Sequence, residues 1–205
     1  GNLRRVAGVG VGIQGNAHNQ ALRLAELARE AQVDGIVCSG HEVGAIVDTL
    51  RQVSEAAGDI TLGDGAYLDL SGREIVMYDT SSYSWGGDVI LRSTAGNITQ
   101  AVGSTIDLSA TYNNAGLLTA IALGEGMGAV NLQGTLLAIS SGHYDAGGTD
   151  VPYRAGGVDI RAQQLGGGGT LTDQFSALNT RLNDGGFLGE RSFQIKQGDL
   201  VIGNE

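Results

Sequence analysis

Three glycines near the amino terminus have the spacing of a nucleotide-binding loop. Gly10, Gly12 and Gly15 form a Gly-x-Gly-x-x-Gly pattern, and Asp34 follows at the distance expected of an acid in that fingerprint. In dinucleotide-binding folds this loop brings backbone amides to a pyrophosphate, and an acid at the end of the second strand binds the ribose. Here Asp34 precedes a short predicted strand at 36–38 rather than ending one. We therefore expect ordinary loop glycines and no bound cofactor.

A second cluster contains the types of side chain that bind metals or act as nucleophiles. Cys38, His41 and Glu42 are close in sequence, which raises the alternatives of a ligand set or a thiol–imidazole pair. No third ligand follows at helical spacing, and Ser39 with Glu42 has the pattern of a helix capping box. The sequence therefore favours a structural cysteine and a helix start, with no catalytic or metal-binding residue here.

A glycine-flanked excursion at 141–157 carries His143, Asp145 and Asp150. Carboxylates are suitable ligands for calcium. However, the tandem Gly-Gly-x-Gly-x-Asp repeat of calcium-binding β-rolls is absent from this segment. We expect a solvated loop and no metal site.

Aromatic residues concentrate in two segments, 73–87 and 141–157, that interrupt the regular spacing of the second part of the chain. Aromatic faces beside polar groups can bind sugars, whereas the alternative is that these rings pack over the flank of the fold. The sequence favours packing but leaves both open. The candidate ligand or glycan contacts are Tyr78, Tyr83, Trp85, His143, Tyr144 and Tyr153.

Composition limits the classes of protein and partner. The 205 residues include 35 glycines, one proline and one cysteine, and the formal net charge is −10. Repulsion from this charge disfavours nucleic acid and anionic membrane surfaces as partners. One cysteine excludes an internal disulfide. No apolar stretch reaches the ~18 residues of a membrane-spanning helix, so we expect no membrane span.

The first part of the chain, 1–57, predicts a helix–strand–helix segment. Residues 19–32 have apolar residues at helical spacing, and the second helix has an apolar stripe from Val43 to Val53 with Gly58 just past its end as a cap. This stripe is suited to covering the open end of a stack of strands. We therefore predict a domain boundary between residues 57 and 58.

The second part, 58–205, predicts strands. Short Val, Ile and Leu alternations recur every eight or nine positions where the series is uninterrupted, as from Ile60 to Leu68 and from Val89 to Ile98. This spacing fits either an antiparallel sandwich or a parallel β-solenoid. Few aromatic residues and many glycines favour the solenoid. A final pair, Leu200 and Ile202, predicts a last strand, and 172–183 has the spacing of a helix.

Several strings after Gly58 resemble the repeat region of filamentous-hemagglutinin-type exoproteins, including STIDLSA, GAVNLQGTLLA and LNDGGFLGERSFQIKQGDLVIG. That resemblance implies a mainly β fold, a right-handed parallel β-helix, preceded here by the helix–strand–helix α/β segment. It also implies two-partner secretion through an outer-membrane transporter, and a bacterial cell-surface protein that binds a host-cell glycan or protein receptor.

The first part contains QALRLAELAREAQVDGIVCSGHEV, which resembles orotidine 5′-phosphate decarboxylase, a β/α-barrel enzyme, over about residues 8–50. The family's chemistry depends on an Asp-x-Lys-x-x-Asp array and on a phosphate-binding arginine. Neither segment is present in this chain, and Lys196 is its only lysine. The resemblance therefore assigns no catalytic residue here.

Together these patterns predict a non-catalytic shaft fragment of a secreted adhesin, with recognition by the side loops 73–87 and 141–157. The alternative is a fragment of an orotidine 5′-phosphate decarboxylase-like enzyme that is inactive alone, and nucleotide-dependent stabilisation would distinguish it. A third reading is a chain that joins two ancestries without an evolved function.

Overall fold

A computed structural model describes residues 52–201, apart from Met127. All of these residues lie within one compact unit. Almost all of the predicted helix–strand–helix segment, including Gly10, Cys38, Ser39 and His41, lies outside the described residues.

The described part of the chain is mainly β with one helix, as the sequence predicted. The strands are short because glycine and polar residues interrupt each aliphatic alternation. The elements are β1 (Gln52–Ala56), β2 (Ile60–Leu62), β3 (Tyr67–Asp69), β4 (Glu74–Met77), β5 (Thr80–Tyr83), β6 (Val89–Ser93), β7 (Ile98–Gln100), β8 (Thr105–Asp107), β9 (Ala110–Thr111), β10 (Leu117–Ala122), β11 (Ala129–Leu132), β12 (Thr135–Leu137), β13 (Ser140–Ser141), β14 (His143–Asp145), β15 (Asp150–Pro152), β16 (Gly157–Ala162), β17 (Gln164–Leu165), α1 (Leu171–Asp184) and β18 (Arg191–Ile195).

The main sheets are parallel, and each joins strands that are far apart in sequence. The largest has the order β1-β6-β10-β16-β18, and two others have the orders β17-β11-β7-β2 and β12-β8-β3. Ala120 of β10 pairs with Leu91 of β6 and with Ile160 of β16, both in parallel. The antiparallel sandwich is therefore the wrong alternative for these sheets, since their strands pair in parallel.

The core lies between these sheets and consists of small aliphatic side chains. In β10, Leu118, Ala120 and Ala122 are fully buried, while the residues between them are half-buried. The same alternation buries Val158 and Ile160 on β16. Period-2 alternation places one set of side chains inside, which is why paired strands align their apolar residues in rows.

Glycines allow close approach of the backbone where the chain enters the five-stranded sheet. A Cβ on Gly116 would overlap the carbonyl oxygen of Gly87, and one on Gly86 would overlap that of Leu108. Such contacts are far shorter than any that a side chain tolerates. The high glycine content therefore has a packing reason at this corner.

The two aromatic segments form antiparallel hairpins that leave the parallel sheets. β4 pairs with β5, and β14 pairs with β15. Their residues are mostly exposed. The excursion at 141–157 was predicted to be a solvated loop; its residues are mostly exposed, and two short strands within it pair with each other.

Helix α1 begins and ends close to the predicted bounds of 172–183. Thr170 caps it, because its side chain accepts from the Asp173 amide while the Asp173 carboxylate accepts from the Thr170 amide. The helix buries Leu178 and Leu182 against the core. Arg191 on β18 binds the helix through Asn179 at 2.6 Å and Asn183 at 2.7 Å.

The structure corrects three local predictions. Val53 lies in β1, not in a helix, because Gln52–Ala56 pairs with β6. Gly58 is consequently not a helix cap. Leu200 lies in no strand and is 46% exposed, and the last strand of the described chain is β18 instead.

Candidate functional site

The base of the β4–β5 hairpin brings two tyrosines together. The rings of Tyr83 and Tyr112 have centroids 4.9 Å apart. Asn113 donates from Nδ2 to the carbonyl oxygen of Tyr83 at 2.7 Å, which fixes the hairpin base against the turn after β9. Tyr112 is 52% exposed. The pair therefore presents part of its aromatic surface to solvent.

The β14–β15 hairpin and its flanking residue carry a second pair of tyrosines. Tyr144 and Tyr153 have ring centroids 5.3 Å apart. The amide of Tyr153 donates to the carbonyl oxygen of Gly142, and a Cβ on Gly142 would lie 2.5 Å from the Tyr112 ring. Gly142 thus contacts both pairs. We call Tyr83, Tyr112, Tyr153 and Tyr144 the aromatic row.

Two of the exposed tyrosines have unusual backbones. Tyr78 has a φ of 56° and Tyr112 a φ of 52°, and among the described residues they are the only non-glycine positions with positive φ. A bulky residue in this region is strained. Tyr78 follows β4 at the hairpin tip and is fully exposed.

The remaining sequence candidates lie beside the aromatic row. Trp85 follows β5 and is 47% exposed. His143 is exposed on β14, where it pairs with Pro152 of β15. The structure therefore places all six candidates in or next to the two hairpins, and it adds Tyr112. One weak signal for Tyr112 is present in the sequence, its position before the turn-forming Asn113 and Asn114.

The carboxylate of Glu74 forms a hydrogen bond with Tyr83 and changes the pKa of its phenol. The Tyr83 hydroxyl donates to Glu74 Oε1 at 3.2 Å. Partial burial and the charge of Glu74 raise the pKa of the Tyr83 phenol above its usual value. Tyr83 is therefore a neutral hydrogen-bonding phenol at physiological pH.

Two depressions lie beside helix α1. One has a volume of about 100 Å³ and is lined in part by Gly166, Gly167 and Arg181. The other, about 340 Å³, is lined in part by Arg181 and Asp184. The first is smaller than the roughly 300–1,000 Å³ of small-molecule sites. Neither depression contains a lysine, and Lys196 follows β18.

The predicted metal candidates are not assembled into a site. Asp145 and Asp150 are partners at the turn end of the β14–β15 ladder, and an Asp145 oxygen accepts from the Gly148 amide. Within residues 52–201, leaving out Met127, no group of three or more His, Cys, Asp or Glu residues is placed to hold a metal ion. In the same part of the chain, no helix is long and apolar enough to cross a membrane.

Comparison with known proteins identifies relatives for a limited part of the chain. An orotidine 5′-phosphate decarboxylase of Novosphingobium aromaticivorans is 69% identical over 36 residues, which are 18% of this chain and 16% of the relative. The decarboxylase of Erythrobacter litoralis is 47% identical over 86 residues, covering 33% of this chain and 38% of the relative. The decarboxylase of Sphingopyxis alaskensis is 39% identical over 83 residues, covering 32% of this chain and 37% of the relative.

The chain thus spans less than two-fifths of the length of each of these relatives. No family model matches it. No solved structure matches it either.

These relatives correct the predicted function. The relatives are named as decarboxylases, and no match supports the resemblance to filamentous hemagglutinin. The predictions of an adhesin shaft, of two-partner secretion and of a secreted cell-surface location are therefore wrong, as is the prediction of a protein that is not an enzyme. The adhesin prediction depended on strings with aliphatic alternation and frequent glycine. Such strings indicate the conformation of the backbone, and a fold alone does not specify a function.

Proposed function

We propose that this chain takes part in orotidine 5′-phosphate decarboxylation. Its first part supplies a segment of the decarboxylase fold, and a partner supplies the rest. The observation that carries this proposal is the 69% identity over 36 residues to the Novosphingobium enzyme. Identity at this level over a continuous stretch supports a shared local fold and shared packing partners.

The chain is inactive alone under this proposal, because it lacks most of a barrel. Parallel barrel strands are buried on both faces and need their neighbours. The whole chain has one lysine, Lys196, and although Asp199 follows it at the spacing of an Asp-x-Lys-x-x-Asp array, Gln194 stands where the first aspartate is required. A partner chain must therefore supply the catalytic lysine and carboxylates.

Complementation tests the proposal. The Novosphingobium decarboxylase, with the stretch homologous to this chain deleted, is expressed with and without the full 205-residue chain, and loss of orotidine 5′-phosphate is measured. We expect decarboxylation only in the mixture. A chain carrying Leu24→Asp, on the predicted apolar helix face, serves as the control and is expected not to complement.

Two results would refute the proposal. If the mixture is as inactive as each component, the similarity has no part in decarboxylation. If the full chain decarboxylates the substrate without a partner, the chain contains its own catalytic site. A thermal shift of the mixture with uridine 5′-monophosphate separates nucleotide binding from turnover.

For the remainder of the chain we propose a right-handed parallel β-helix. Support comes from the parallel pairing of β6 with β10 and of β10 with β16, each across an intervening turn of chain. Parallel crossover connections are right-handed in about 98% of cases. The predicted boundary at 57/58 stays a prediction, and the pairing of β1 with β6 favours a join before Gln52.

A further inference from the structure

We propose that the aromatic row binds a neutral saccharide. Its first ring pair joins Tyr83 of the β4–β5 hairpin to Tyr112 of the turn after β9, and its second, Tyr144 with Tyr153, belongs to the β14–β15 hairpin. Gly142 lies against the Tyr112 ring and accepts a hydrogen bond from the Tyr153 amide, so it links the two pairs. Aromatic faces bind the C–H faces of sugar rings, while nearby hydroxyl and amide groups bind sugar hydroxyls. This inference does not depend on the proposed relation to decarboxylation.

Backbone strain at Tyr112 in the row, and at Tyr78 at the tip of the β4–β5 hairpin, indicates that these two side chains have a use. Holding a non-glycine residue in the left-handed region costs free energy, and such strain concentrates at functional sites. This chain uses glycine at ten other described positions with positive φ, yet keeps tyrosine at 78 and 112. Since Tyr78 is fully exposed, packing does not explain its side chain.

Tyr112 is held in place by contacts on its ring and its backbone, which reduces the entropic cost of binding through this residue. The Tyr112 ring lies against Gly142, where no side chain larger than hydrogen fits. Tyr112 donates from its amide to the Ser141 carbonyl oxygen at 2.8 Å. Ser140 donates to the carbonyl oxygen of Asn113 at 2.9 Å, which anchors the adjoining turn.

The charges around the row favour a neutral ligand. Exposed carboxylates on the two hairpins are those of Glu74, Asp79, Asp145 and Asp150. Two arginines are nearby: Arg73, which forms an ion pair with Asp69 at 3.2 Å, and Arg154, which directly follows Tyr153 and is exposed. The local excess of negative charge repels sulfated or carboxylated sugars and nucleic acid. Carboxylates also accept hydrogen bonds from sugar hydroxyls.

The experiment presents the full chain to an array of neutral and anionic glycans, and then measures affinity for the strongest neutral ligand by calorimetry. Two variants remove parts of the row, Tyr112→Asn and Tyr144→Ala. Asparagine tolerates positive φ, so Tyr112→Asn removes the ring without adding backbone strain. We expect each variant to weaken binding at least about tenfold.

A matched control removes a tyrosine elsewhere. Tyr67 lies on β3, outside the row, and is 58% exposed, close to the 52% of Tyr112. We expect Tyr67→Ala to leave the affinity unchanged, and circular dichroism verifies that all variants are folded. Three outcomes would overturn the proposal: no neutral glycan bound by the native chain, binding confined to anionic glycans, or equal losses in Tyr67→Ala and Tyr112→Asn. Self-association that disappears in Tyr112→Asn, without sugar binding, would assign the row to a protein contact instead.

Discussion

At the scale of single residues, the structure distinguishes two kinds of glycine. At some positions a Cβ would overlap neighbouring atoms, and at others it would meet open space. The position that a Cβ on Gly116 would take is already filled by the Gly87 carbonyl oxygen. Gly63 has no atom within 4 Å of the corresponding position. The same substitution at these two positions therefore has opposite consequences.

We predict that Gly116→Ala lowers the free energy of unfolding by about 3 kcal/mol, since backbone must move to accept the methyl group. Gly63→Ala is expected to be neutral or to stabilise by about 0.5 kcal/mol, because alanine restricts the unfolded chain. Urea titration followed by circular dichroism measures both. Equal stability of the two variants would contradict the close approach at Gly116.

The same scale marks a limit of sequence reasoning. The aromatic candidates Tyr83, Tyr144 and Tyr153 were predictable because they cluster in segments that break the aliphatic spacing. Tyr112 was not, because its role depends on the Tyr83 ring and on Gly142, both of which are distant from it in sequence. Local pattern does not encode a left-handed backbone that tertiary contacts impose.

At the scale of elements, helix α1 depends on its capping box. The amide and hydroxyl of Thr170 donate to Asp173 Oδ2 at 2.8 and 2.7 Å. These two hydrogen bonds, from the backbone first and the side chain second, lower the pKa of Asp173 below its usual value. Folding therefore favours the ionised carboxylate.

The sign of the pH dependence follows from that lowered pKa. The contribution of Asp173 is complete above its unfolded pKa of about 4 and is lost as pH falls through the lower folded value. We predict that Asp173→Asn is less stable than the native chain at pH 6, and that the difference shrinks below pH 4. Unfolding titrations between pH 6 and 2 measure it.

Thr170→Ala serves as the partner variant. It removes the hydroxyl from the other side of the capping box, and we expect a loss of about 1 kcal/mol at pH 6. It should also flatten the pH dependence below pH 4. A difference between the native chain and Asp173→Asn that stays constant down to pH 2 would contradict this role of the capping box.

Elements were predicted unevenly from the sequence. The strands with clear aliphatic alternation, such as β2, β6 and β16, lie where the pattern placed them, and α1 follows its helical spacing. β18 was missed because Arg191, Ser192 and Gln194 obscure its alternation and its residues are only half-buried or exposed. Val53 fitted a helical stripe, but the parallel ladder with β6 determines its conformation.

At the scale of the whole molecule, the described fold depends on parallel pairing between strands that are far apart in sequence. Among the described strands, β17 and β12 each end one of two smaller parallel sheets, and α1 packs against both. An open sheet edge is a site for unwanted pairing, so a helix beside the last strands is a common form of protection. The stack provides a rigid base from which both aromatic hairpins project.

Cysteine cross-linking tests this stacking most directly. Thr61 and Thr99 are Cα partners on β2 and β7, which are distant in sequence. Paired strands are about 4.8 Å apart, within the range that a disulfide spans. In a Cys38→Ser background, parallel stacking predicts that Thr61→Cys with Thr99→Cys forms an intramolecular disulfide on mild oxidation. Thr61→Cys with Ala101→Cys, which is out of register, should remain reduced, and a disulfide in the second pair but not in the first would contradict the stacking of β2 on β7.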